Sequence, residues 1–186
     1  MLVLGASMSG GMFHCSASQS DNGDVAAPLS CGATAHDRAR MKIHFTSAGD
    51  IQLGAQATKV AMAASGGTQD LASRVSSLSS GSHLYLVLSG LQTTVSPGIF
   101  YSVYLDQPDT ARPTIGAPHF VARLNFYDAT SVAAPDLQQS FDITETARRL
   151  AASGNLSRDT HVTIAPDGVP EKSAKPTLAC IQIVEQ

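Results

Sequence analysis

Six histidines (His14, His36, His44, His83, His119 and His161) are the residues of this 186-residue chain best suited to holding a metal ion. Six imidazoles would suffice for two copper ions with three on each. The spacing speaks against such a site. Helical metal sites place His at i and i+4, or as His-Glu-x-x-His, so that the side chains converge on one face. Here no two histidines lie within five residues of each other, and the close His-x-His pair of a cupin-like site is missing too. Scattered surface and strand-end histidines account for them better. Softer donors stand together only in Met12-Phe13-His14-Cys15. Thioether and thiolate ligands suit Cu(I), so Met12, His14 and Cys15 are the candidate metal cluster, able to hand copper to a partner. The plainer reading is a disordered arm.

Other chemistries lack their frames. There is no Gly-x-Ser-x-Gly elbow, and nothing pairs a particular Ser with a His and an Asp. Ser65-Gly66-Gly67 neither follows a strand nor opens a helix, so phosphate and dinucleotide binding are not indicated. Fifteen acidic residues offer many carboxylate pairs and no geometry to choose among them. No catalytic or cofactor-binding residue is therefore assigned. Phe100, Tyr101 and Tyr104 fit a sugar-binding stripe, but core packing suits them better. Three cysteines (Cys15, Cys31 and Cys180) with no Cys-x-x-Cys spacing do not form a disulfide framework. Three reduced thiols are expected, with Cys180 a small core residue; a Cys15–Cys31 bridge stays open as the local alternative.

The elements that must position any site are mostly strands. Residues 1–40 are rich in Gly, Ser and Ala and read as an arm or linker, leaving 41–186 as one domain. Met41, Ile43 and Phe45 alternate with Lys42, His44 and Thr46, as in a half-buried strand. Leu84, Leu86 and Leu88 share a face, as do Ile99, Tyr101, Val103 and Leu105. Phe120, Ala122, Leu124 and Phe126 face the core, with Arg123 and Asn125 outside. His161–Ile164 and Leu178–Val184 complete the set, and Ala63–Ser82 reads as a long loop, with a short surface helix around Gln69–Leu78 as the alternative. Ile143, Ala147, Leu150 and Ala151 follow a helical period, with Asp142 as cap, Glu145 three residues on and Gly154 as stop. The fold expected is mainly β, an antiparallel β-sandwich or jelly-roll-like domain with one short helix over about 143–153. A net charge of -3 with only 12 Lys and Arg argues against nucleic acid, and no apolar run is long enough to span a membrane. No basic region precedes the weakly apolar start, so no secretory signal is read and the compartment stays open.

Three of these segments carry a family likeness. Tyr101-Ser-Val-Tyr-Leu-Asp-Gln-Pro108 resembles the Y-x-V-Y-L-N-x-P strand of the C-terminal, non-catalytic domain of tyrosinase and polyphenol oxidase-like proteins. Phe120-Val-Ala-Arg-Leu-Asn-Phe-Tyr127 is similar to that domain's V-G-x-L-x-F-F-G strand, with Ala122 in place of its Gly and Tyr127-Asp128 in place of its Phe-Gly. Phe141-Asp-Ile-Thr144, the helix to Gly154 and His161-Val-Thr-Ile-Ala-Pro166 resemble its F-D-I-T, helix and V-T-x-V-P ending. The order and spacing agree over roughly 83–168.

In that family the tail is a β-sandwich that covers the entrance of a His-rich, type-3 copper bundle. The bundle oxidises phenols with O2. The paired histidines are missing here, so the resemblance implies no oxidase activity, no copper in this chain and no recognisable plug residue. It implies an accessory domain that acts by protein contact, with copper in a partner: a His-rich type-3 catalytic chain, or else self-association. A small-ligand or carbohydrate-binding jelly-roll is the alternative, and an enzyme with a dispersed site comes last.

Overall fold

The structure is a computed structural model and describes residues 41–66, 69–130 and 137–186. Along the chain it forms β1 (Lys42–Ser47), β2 (Ile51–Gln52), β3 (Thr58–Ala64), α1 (Leu71–Ser76), β4 (Leu84–Ser89) and β5 (Tyr101–Leu105). There follow β6 (Phe120–Leu124), β7 (Gln138–Asp142), α2 (Thr144–Ala152), β8 (His161–Pro166), β9 (Thr177–Leu178) and β10 (Cys180–Glu185). Eight strands make one sheet in the order β6-β5-β8-β3-β1-β10-β4-β7, while β2 and β9 pair separately. Every pairing is antiparallel. The expected mainly-β, antiparallel fold is present, its two layers being the two sides of a single sheet that nearly closes. At the seam the Gln139 side chain stands in for a ladder. Its Nε2 donates to the Asn125 carbonyl at 2.7 Å, and the Asn125 N–H donates to its Oε1 at 3.5 Å.

The inward face is aliphatic, as the alternation requires. Leu84, Leu86 and Leu88 of β4, Val103 and Leu105 of β5, Val162 and Ile164 of β8, and Ile181 and Ile183 of β10 are all 0% exposed. A fully buried side chain of this size contributes about 1.5–3 kcal/mol, so a few of them outweigh any single polar contact. Tyr101 stacks edge-on to Phe126 with ring centroids 5.8 Å apart. Both Tyr101 and Tyr104 are buried, so they serve packing rather than a sugar-binding stripe.

The helix over 144–152 lies where its period places it, burying Ala147 and Leu150. Asn155 N–H bonds to the Leu150 carbonyl and Gly154 N–H to that of Ala151, a Schellman end with Gly154 at φ 68°. The cap differs from the expected box. Ile143 is the N-cap residue, Asp142 accepts from Thr144 N at 2.9 Å, and Glu145 pairs with Arg148 instead of reaching back.

Several elements depart from the sequence reading. In β1 the register shifts between Ile43 and Phe45, so Ile43 turns out to 37% exposure while His44 and Phe45 are both buried. A bulge breaks the two-residue period that the alternation assumed. The segment read first as a loop holds the end of β3 and, as the alternative had it, a short helix, α1. Asp70 caps that helix by accepting from Ser73 N at 2.8 Å, and Leu71 and Val75 enter the core. Cys180 is 6% exposed but disulfide-bonded, so it is not the reduced core thiol expected. Spacing along a chain does not show which distant cysteine comes within bonding reach. Residues 1–40, with Cys15, Cys31 and the Met12–His14–Cys15 cluster, lie outside the described residues.

Gly90 ends β4 at φ 66°, and a Cβ there would meet Ala179 Cβ at 2.4 Å. Gly98 has φ 70° with nothing within 4 Å of its missing Cβ. Gly90→Ala should therefore cost about 2–5 kcal/mol from backbone strain plus overpacking, and Gly98→Ala only about 1–2 kcal/mol from strain. Chemical unfolding checks the ranking; equal costs would contradict it. Alkylation of the unfolded chain should leave Cys180 unlabelled until reductant is added, read by peptide mass.

Candidate functional site

Strand β5 carries a distinct environment at each end. Before it, the loop 95–100 and the end of β6 form an apolar surface. Tyr127, 70% exposed, stands on this surface; Val95 at 41% begins the loop, and Val169 at 83% sits on the turn after β8. Glu171 N–H donates to the Pro97 carbonyl and Asp167 N–H to that of Phe100, which fastens the turn bearing Val169 to this loop. Phe100 meets Tyr127 edge-on at 6.0 Å, and a cavity of about 190 Å3 opens beside them, walled by Pro97, Ile99 and Phe126. The Arg123 guanidinium lies over Phe100, 4.2 Å from the ring centroid. Its own charge is spent on Asp167, 2.7 Å away, which also accepts from Ser102 Oγ. The cation stacked on Phe100 is thus internally paired.

Beyond the other end of β5 the chain turns through Asp106 at φ 48°, a left-handed conformation that Asp tolerates better than most residues. Register sets Leu105 opposite Val162, which brings Asp106 against His161. The buried carboxylate accepts from His161 N at 2.7 Å and Ser157 N at 3.0 Å, with His161 Nδ1 at 3.2 Å. The other His161 nitrogen, Nε2, donates to the Gln107 carbonyl at 3.0 Å, and His119 Nδ1 donates to that of Leu105 at 2.8 Å. Here a second cavity, also about 190 Å3, is lined by Lys59, Gln107, Asp109 and Thr163 among others.

The four described histidines do not converge. His44 bonds to Glu185 and His83 to Asp142, each at 2.8 Å, far along the fold from the His119–His161 end. Among the described residues no three His, Cys, Asp or Glu side chains meet to hold a metal ion. Of the residues that do come together, Asp106, Gln107 and Lys59 are not singled out by the sequence, and His161 is so only as one of six scattered histidines. Only the Asp-Gln-Pro turn after a strand marks the place, and turns of that kind are common.

No known protein-family profile matches the chain, and no curated protein matches it. Solved structures do. One is latent apple tyrosinase, with 13% identity, 73% of this chain and 27% of that chain covered, and a TM-score of 0.45. Another is a recombinantly expressed latent aurone synthase co-crystallised with hexatungstotellurate(VI), at 12% identity, 72% and 25% coverage and a TM-score of 0.45. Latent aurone synthase from its natural source gives 15%, 72%, 25% and 0.42. These are polyphenol oxidases. The chain spans about a quarter of the length of each.

Burial pushes the Asp106 carboxyl above its ordinary value of 3.8, against the pull of the His161 and Ser157 N–H bonds and of the His161 and His119 rings. The folded chain therefore holds this proton more tightly than the unfolded one. The resulting stabilisation is complete below 3.8 and is lost as pH rises through the folded-state value. Relative to Asp106→Asn, the wild-type chain should lose stability across that interval, measured by chemical unfolding at a series of pH values. A difference that stays constant with pH would exclude the effect.

Proposed function

We propose that this domain is a non-catalytic accessory domain that acts by protein contact, covering, stabilising or assembling with a partner. The observation that carries the reading is exposed Tyr127, edge-on to Phe100, beside a cavity walled by Pro97, Ile99 and Phe126. Single exposed hydrophobic residues need no explanation, whereas a contiguous apolar patch rimmed by polar groups marks interaction sites. Aromatic residues with an Arg beside them form the kind of cluster that anchors interfaces. The nearly closed sheet leaves few free edges, so side chains rather than strand addition make the contact. By its motifs the partner is a His-rich chain that binds copper and oxidises phenols, and copper belongs to that partner. A small-ligand or carbohydrate-binding role is the second reading, favoured by the cavity lined by Lys59, Gln107 and Asp109.

The test is native mass and metal content of the chain isolated from its source. The expected result is a mass above one chain, with copper in a second, His-rich polypeptide. Replacing Tyr127 and Val169 by Asp should abolish the association while moving stability by no more than about 0.5 kcal/mol per site, as for other exposed positions. A single monodisperse chain, or copper retained by the chain alone, would overturn the reading. A stable partner of this kind needs on the order of 800 Å2 of this surface.

A further inference from the structure

We infer that residues 1–40 serve as a strap, pinned by a disulfide to the outer face of β4 and β10, where they cover Val87, Gln182 and Val184. The covered stripe belongs to β4 and β10, not to the β5–β6 end that carries Tyr127. It stands whether or not a protein partner exists.

The first ground is a covalent bond. Cys180 is disulfide-bonded, and the chain has only two other cysteines, Cys15 and Cys31. Whichever of them is the partner, the arm is fastened to the start of β10. The arm enters the fold at β1, whose first residue, Lys42, stands opposite Glu185 at the far end of β10. From Glu185 back to Cys180 is about 17 Å along the strand. From Lys42 back to Cys31 the chain reaches about 36 Å when extended, so even the nearer cysteine can make the return.

The second ground is the side on which the bond lies. Ile181 and Ile183 enter the core, so alternation turns Cys180, Gln182 and Val184 outward. It likewise turns out Val87 and Ser89 of β4, which stand opposite Gln182 and Cys180. A chain returning from Lys42 to Cys180 on this side passes over Val184 and Gln182. The third ground is burial. Val184 is 1% exposed, Gln182 8% and Val87 9%, although all three face away from the core. Both valines lie outside the core cluster, and the helices spend their buried residues on that cluster, Leu71 and Val75 from α1 and Ala147 and Leu150 from α2. Beside the stripe, Ile43 stands opposite Val184 and is 37% exposed. A cover one chain wide buries the stripe and leaves its flank open.

The bridge opens when a dithiol gives it two electrons and two protons, leaving two thiols here and a disulfide in the reductant. The experiment follows the methyl NMR signals of the isotope-labelled full chain in the presence of a soluble nitroxide, with and without dithiothreitol. In the oxidised chain the Val87 and Val184 signals should stay sharp, and after reduction they should be lost to broadening. The Leu86 and Ile183 signals should stay sharp throughout, which shows that the core is intact. Cys180→Ser should give the reduced pattern without reductant. Of Cys15→Ser and Cys31→Ser, one should do the same and the other should keep the oxidised pattern. Cleavage before Asp21 and Asp24 separates Cys15 from Cys31, and the mass of the peptide joined to Cys180 should name the same cysteine. If a variant does not fold, reduction and peptide masses of the wild-type chain decide. Cys180 recovered as a thiol from the oxidised chain or joined to a second chain, valine signals broadened from the start, or valine signals unmoved by reduction would each overturn the proposal.

Discussion

Eight antiparallel strands enclose one aliphatic core only if the first and last of them meet. β6 and β7 come together at the Gln139 side chain, whose amide presents to Asn125 the donor and acceptor that a neighbouring backbone would present. Closure removes sheet edges that would otherwise template pairing with other chains. It also explains how a small sheet hides Tyr101 and Phe126 together, since β5 and β6 turn inward next to the seam. The Tyr101 hydroxyl has no partner among the described residues, and burial pushes its phenol above the ordinary value. Apolar packing around the ring outweighs that cost.

Strand β5 organises both functional ends because it is wholly buried and bonded on both sides, to β6 and to β8. What leaves it at either end is held in register by those ladders. At its start Phe100 emerges beside Tyr127; at its finish the chain reverses through Asp106. The carboxylate at Asp106, where the resembled motif carries Asn, has a direct physical use. Two backbone N–H groups, from Ser157 and His161, point at this side chain. A carboxylate offers an oxygen to each, whereas an amide offers one oxygen and one N–H. His161 Nδ1 stands 3.2 Å from the same carboxylate.

Much of the fold was legible. The leucines of β4 and the alternation of β5 act through a two-residue period that any half-buried strand imposes, and α2 declared itself by its period and by Gly154. Elements whose residues do not advertise burial were missed. β3, Thr-Lys-Val-Ala-Met-Ala-Ala, is Ala-rich and largely exposed, and β7, Gln-Gln-Ser-Phe-Asp, is polar. Each is a strand because neighbours pair with its backbone, and backbone pairing leaves no mark on side-chain type. The short helix α1 rests on one cap and two buried residues, too little to stand out in a Ser-rich run.

Composition, spacing and strand period by themselves determined a mainly-β domain, the position of its longer helix, a family likeness and the want of any catalytic motif. Those properties are local, set within a few residues of each position. Which distant side chains meet was decided by the closed sheet alone: Asn125 with Gln139, Lys59 with Asp109 and Asp106 with His161, 14, 50 and 55 residues apart. The tertiary structure likewise set Tyr127 edge-on to Phe100. Contacts of that range follow from strand order and register, which are settled by how the whole core packs and not by any stretch of sequence.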